Sequence, residues 1–168
     1  ELEQTEAARQ RLAFDEFMML QRTLRRRRNN LQKNSRALPC GGDGRFTGPF
    51  LKTLPFQLTD AQNTVSLEIS GDLGGQYPMR RLLQGDVGSG KTVVAYLTAL
   101  RAIEAGYQAA IMAPTELLAR QHLETIQPWA DACGISIALM TGKVDRATSN
   151  ANAAALADGS ISLAIGTH

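Results

Sequence analysis

The residues best suited to chemistry are Gly85-Asp86-Val87-Gly88-Ser89-Gly90-Lys91-Thr92, which fit the spacing G-x-x-x-x-G-K-[ST]. Glycines let successive backbone N–H groups turn inward without a Cβ in the way, making a concave anion site. Lys91 would set a point positive charge on the β- and γ-phosphates of a nucleotide, and Thr92 would offer its hydroxyl to Mg²⁺. A helix starting at this point adds its N-terminal N–H groups and dipole. Context decides whether such a match counts. Arg81-Leu82-Leu83-Gln84 reads as a short buried strand before it, and Val93, Val94, Leu97, Leu100 and Ile103 recur at helical spacing after it. Nucleotide binding is the leading functional expectation. The bland alternative is a glycine-rich turn beside a solvated lysine.

The flanking elements alternate. Ala109–Ala113, Ile135–Met140 and Ile161–Ile165 read as strands. Helices fill the intervals, one opening at Pro114-Thr115-Glu116 and re-starting near Trp129 after Pro128, the other running from Arg146 to Ala157. Counting the strand at 81–84, the order is βαβαβαβ. That implies an α/β fold with a parallel sheet and helices on both faces. In such sheets ligands bind beyond the carboxyl ends of the strands. Those ends carry Gly85-Asp86, Pro114-Thr115, Thr141-Gly142 and Gly166-Thr167-His168.

Upstream, Thr59-x-x-Gln62 fits a capping box for a helix with Ala61, Val65, Ile69 and Leu73 on its inner face. The same Gln62 amide has a donor and an acceptor able to read an adenine edge. Phe50–Leu54 reads as a short apolar turn. Residues 29–49 are dense in Gly, Pro, Asn and Asp and read as a linker. Residues 1–28 read as one long helix. Its apolar stripe of Ala13, Phe17, Leu20 and Leu24, flanked by Phe14 and Met18, must pack on something. Arg25–Arg28 close that helix. They read as a solvated run suited to the helix dipole, in preference to a DNA-backbone contact. The expected organisation is a connector helix (1–28), a linker (29–49) and a nucleotide-binding domain (50–168).

Composition sets broad bounds. An apolar content of 43% supports a sizeable core, and the net charge of +2 demands no acidic partner. Nine of the 18 Lys and Arg lie in the first 36 residues. Cys40 and Cys133 have no metal-ligand spacing, which agrees with a reducing cytoplasm. No apolar run approaches the length of a membrane span, and no membrane partner is expected.

Leu83–Ala95 closely resembles the phosphate loop of the RecG branch of superfamily 2 DNA helicases. Ala113–His122 is similar to motif Ia of that branch, Thr141-Gly142 to motif Ib, and Gly166-Thr167-His168 to motif Ic. Leu54–Gln62 resembles its adenine-reading Q motif, and residues 1–28 look like its connector helix. The primosome helicase and the transcription–repair coupling translocase share the motor, but their loops differ around Asp86, Ser89 and Val93. The resemblance implies a RecA-like phosphate-loop NTPase fold, incomplete and preceded by a long helix. It implies ATP and Mg²⁺ as cofactors. Residues 85–92 would hold the nucleotide with Lys91 as the catalytic lysine, Thr92 would bind Mg²⁺, Gln62 would read adenine and Phe56 would stack on it. Thr115, Thr141 and Thr167 would touch DNA phosphates. The partner implied is branched or forked duplex DNA, bound by a monomer in recombination, repair and the remodelling of stalled forks and Holliday junctions. The family's D-E-x-H-type carboxylates lie downstream of Gly-Thr-His, so this chain is expected to be a truncated motor that binds nucleotide and turns it over negligibly. The rival readings are a phosphate-loop protein without DNA function and an interaction module built on the amino-terminal helix.

Overall fold

The computed structural model describes residues 2–168, with side chains at all of these except residues 2–4, 7, 8 and 31–34. Its elements are α1 (Leu2–Asn34), α2 (Thr47–Thr53), α3 (Asp60–Leu73), α4 (Lys91–Glu104), β1 (Ala109–Met112), α5 (Glu116–Cys133), β2 (Ile137–Met140), α6 (Arg146–Ala157) and β3 (Leu163–Gly166). The strands form one parallel sheet in the order β1-β3-β2. The chain crosses from β1 to β2 through α5 and steps back to β3 through α6. Right-handed crossovers taken in opposite directions put these two helices on opposite faces.

The core lies mainly on the α4/α5 face. Eight positions of α4 are buried, from Val93 to Glu104, because its apolar residues repeat every three or four positions. Ile126, Leu163 and Ile165 are fully buried against it. Three rings weld α2, α4 and α5 together. Phe50 meets Tyr96 edge-on at 4.9 Å between centroids, and Trp129 lies 5.3 Å from Phe50 and 5.7 Å from Tyr96. The expected turn at 50–54 is therefore the end of a helix whose Phe50 is a core anchor.

Glu104 explains why α2 sits where it does. Its buried Oε1 accepts from Phe46 N–H at 2.9 Å, from Thr47 N–H at 2.7 Å and from the Thr47 hydroxyl at 2.9 Å. Burial pushes this carboxyl up, but the donors from Thr47 and Phe46 outweigh it and hold the group below its ordinary range. A carboxylate at the last turn of α4 opposes that helix's own dipole. It serves instead as the anion at the N-terminus of α2, which has no side-chain cap.

Several sequence expectations change. Residues 81–84 are not a strand: Leu82 is 90% exposed and the segment pairs with no strand among the described residues. Apolar character makes a strand only where a neighbour offers ladder bonds. The sheet accordingly has three strands among the described residues. The first helix runs to Asn34, past the expected stop at 28, and the linker contains α2. The α1 stripe meets no core, for Phe14, Phe17, Leu20 and Leu24 are all exposed. Helix α5 continues through Pro128 without a restart. The lost N–H is tolerated because Ile126 and Ala130 on either side are fully buried. Among the described residues no helix is long and apolar enough to cross a membrane.

Candidate nucleotide and nucleic-acid site

Helix α4 starts with an open end. Its N-cap, Gly90, has φ +81° and no capping side chain. A Cβ there would be strained and would also strike the Gln62 amide. Among the described residues, the N–H groups of Gly88, Gly90, Lys91 and Thr92 find no protein acceptor. Four unpaired donors beside a positive helix end form an anion site. The Lys91 ammonium folds back into the loop and donates to the Gly85 carbonyl at 2.7 Å and the Asp86 carbonyl at 2.6 Å. Those carbonyls, with the Ser89 hydroxyl at 3.5 Å, are the partners of the ammonium in this structure. The Asp86 carbonyl also accepts from Ser89 N–H at 3.2 Å, which closes the loop, while Val87 at its tip is fully exposed. Thr92 is half-buried in the first turn of α4. Loop, lysine and hydroxyl thus suit a Mg²⁺-nucleotide.

Gln62 fills the structural role expected of it and one more. Thr59 N–H donates to its Oε1 at 2.9 Å, and its own N–H donates to the Thr59 hydroxyl at 3.2 Å, so the capping box of α3 is complete. Its Nε2 donates to the Ser89 carbonyl at 2.9 Å. The amide therefore ties α3 to the phosphate loop. One N–H and one lone pair remain for a base edge. Phe56, three residues before the cap, is half-exposed.

The strand ends converge as expected. Met112, Gly166 and Met140 are in register across the sheet. Thr115, Thr167 and Thr141 follow them on one edge. Helix α4 ends just before β1 begins, and its N-terminus returns to this same edge, bringing the phosphate loop with it. The threonines differ. Thr115 caps α5, its hydroxyl accepting from Leu118 N–H at 3.3 Å. Thr167 is half-buried and its N–H donates to the Met140 carbonyl at 3.1 Å. Thr141 is buried, and its hydroxyl has no partner among the described residues. Gly166 keeps this edge tight, since a Cβ there would overlap the Met140 carbonyl.

Two features escaped sequence reasoning. Lys143 pairs with Glu116 at 3.3 Å, locking the turn after β2 to the first turn of α5. Arg81 pairs with Glu68 and Asp72, both at 2.5 Å, fastening the approach to the phosphate loop onto α3. The guanidinium bond holds the Asp72 carboxyl below its usual range. Glu68 and Asp72 stand four apart on α3, a helical-face signal, but nothing local marks Arg81 as their partner.

Parallel sheet, flanking helices and an uncapped glycine-rich loop at the head of α4 define a RecA-like fold. The DEAD/DEAH box helicase family model matches residues 60–168, and the chain belongs to that family. Within it the chain is similar to "ATP-dependent DNA helicase RecG" of Synechocystis sp., at 42% identity over 99% of this chain and 20% of the relative. It is similar to the protein of the same name from Haemophilus influenzae at 44% identity, covering 96% of this chain and 23% of that one. The chain thus spans about a fifth of the length of these relatives. A solved structure described as RecG bound to a three-way DNA junction superposes with a TM-score of 0.86 at 40% identity, covering 97% of this chain and 22% of that one.

Proposed function

We propose that this chain is the nucleotide-binding part of an ATP-dependent DNA helicase motor of the RecG type. The whole protein would act as a monomer on branched or forked duplex DNA in recombination and repair. The observation that carries this reading is the uncapped start of α4, with four free N–H groups and Lys91 beside them, on the edge that also holds Thr115, Thr141 and Thr167. ATP with Mg²⁺ would supply the free energy of phosphoryl transfer. Lys91 would leave the Gly85 and Asp86 carbonyls for the β- and γ-phosphates, and Thr92 would hold Mg²⁺. Gln62 would read the adenine edge, with Phe56 stacked against the ring. Thr115 and Thr167 would contact DNA phosphates through hydroxyl and N–H groups. Thr141 would do so only by turning its enclosed hydroxyl outward or through its N–H.

Calorimetric titration with ATP and Mg²⁺ tests the reading. Lys91→Ala removes a charge-assisted contact worth about 2 kcal/mol, or roughly 30-fold in affinity. Gln62→Ala is expected to abolish the preference for ATP over GTP while the chain stays folded. Equal affinity in the Lys91→Ala chain and the parent would remove the basis of the proposal.

A further inference from the structure

The Arg25–Arg28 run is not a helix end. Helix α1 continues to Asn34, six residues beyond Arg28. A helix dipole acts over the last turn only, so dipole matching does not explain these side chains. Their placement does suggest a role. The chain leaving α1 is pinned to the loop after α3 by Ala37 N–H to the Gln76 carbonyl at 3.1 Å and Cys40 N–H to the Leu73 carbonyl at 3.0 Å. This holds the end of α1 across from residues 71–82 and leaves an open cleft of about 880 Å³ between them. Arg27 and Arg28 line one wall, and Arg80 and Arg81 line the other.

Among the described residues, the only carboxylate lining the cleft is Asp72; Arg81 bonds it directly, and the Arg28 charge also helps hold it ionised, so one carboxylate faces four guanidinia. Among the same residues, no ion pair or hydrogen bond ties the side chains of Arg27, Arg28 or Arg80. Same-sign charges lining one cleft reinforce one another's field where salt screens them little, and together they favour an anion there. Guanidinium forks match phosphate oxygens in pairs. Tyr77, half-exposed on the same wall, adds a flat amphipathic ring.

We infer that this cleft is a second contact for the DNA sugar–phosphate backbone, apart from the strand-end edge and independent of base sequence. It takes phosphates between Arg27 and Arg28 on one side and Arg80 on the other, with Arg81 fixed as the root of that wall. The inference rests on the DNA-binding reading above but uses none of the same residues.

The test measures the affinity of the full 168-residue chain for a blunt duplex oligonucleotide across a range of salt concentrations. The triple variant Arg27→Ala, Arg28→Ala, Arg80→Ala is expected to reduce the slope of log K against log salt by about 2 to 3, or roughly 0.9 for each phosphate no longer neutralised. Replacing the same three residues by Lys keeps the charge and should keep the slope, with lower affinity. Arg26→Ala, outside the cleft, should change the slope by less than about 1. Nucleotide affinity is expected to stay constant in all three variants, which also shows that the fold survives.

An unchanged slope in the triple Ala variant overturns the inference. So does weaker binding of poly-glutamate by that variant with DNA binding unaffected, which would make the cleft a protein-docking site. A Thr115→Val, Thr167→Val variant separates the two readings. If it leaves DNA binding intact while the arginine variant shows the reduced slope, the strand-end reading fails and the cleft stands.

Discussion

Helices α1 and α4 carry the same kind of signal and have opposite fates. Both repeat apolar residues at steps of three and four. In α4 eight positions are buried, with Tyr96 and Leu100 wholly enclosed. In α1 the corresponding stripe is open, and Phe17 is 60% exposed. Periodicity states which face of a helix prefers to leave water; it does not state that a partner is present. The core depends on what surrounds α4, namely β1, α2 and α3, with α5 joined to it through Tyr96 and Trp129.

Paired truncations are the widest test of that contrast. Leu100→Ala should cost about 2 to 5 kcal/mol, since it opens a cavity in a fully packed site. Phe17→Ala should stay within about 0.5 kcal/mol. Urea unfolding of both variants checks this. A large cost for Phe17→Ala would mean that α1 is packed in solution and the contrast is false.

Glu104 sharpens the comparison at the border between α4 and the segment that follows α1. Glu104→Gln should cost about 2 kcal/mol by weakening three charge-assisted bonds and stranding donors at the start of α2. The pH dependence has a definite sign. Its folded-state carboxyl is held down, so its contribution is complete above the ordinary carboxylate range and disappears as pH falls through the lowered folded value. Stability measured from about pH 7 downward should decline less steeply in Glu104→Gln than in the parent. An identical acid limb in both would show that Glu104 is not anchoring α2.

The smallest expected effect lies at the capping box. Thr59→Ala should cost about 1 kcal/mol of stability. It should also lower nucleotide affinity severalfold, because the cap holds Gln62 against the Ser89 carbonyl. A stability loss with unchanged affinity would sever α3 from the phosphate loop.

Much of the site was legible because its geometry is local. Gly85 to Thr92 lie within eight residues, and the backbone freedom of Gly90 is enough to place Lys91 at the head of α4. Thr59 and Gln62 are one helical turn apart, so their mutual capping needs no distant partner. The bounds of α4 and α6 likewise follow from caps and glycine stops a few residues away. Misreadings fall where a segment depends on something remote. Leu82-Leu83 has strand-like composition but no ladder neighbour among the described residues. Phe50 looked like a turn residue because Tyr96 and Trp129, which enclose it, are 46 and 79 positions away. Pro128 looked like a break because its neighbours' burial cannot be read along the chain.

What the sequence determined by itself was the glycine-rich loop at the head of α4, the alternation of helix and strand that follows it, and the polar strand ends. Each of these is set by interactions among residues a few positions apart. Only the tertiary structure decided that Glu104 belongs to α2, that Gln62 holds the phosphate loop, and that Arg27 and Arg28 face Arg80 across a cleft. Charges and hydrogen-bond donors act through space, and their partners become known only when the folded backbone brings distant parts of the chain together.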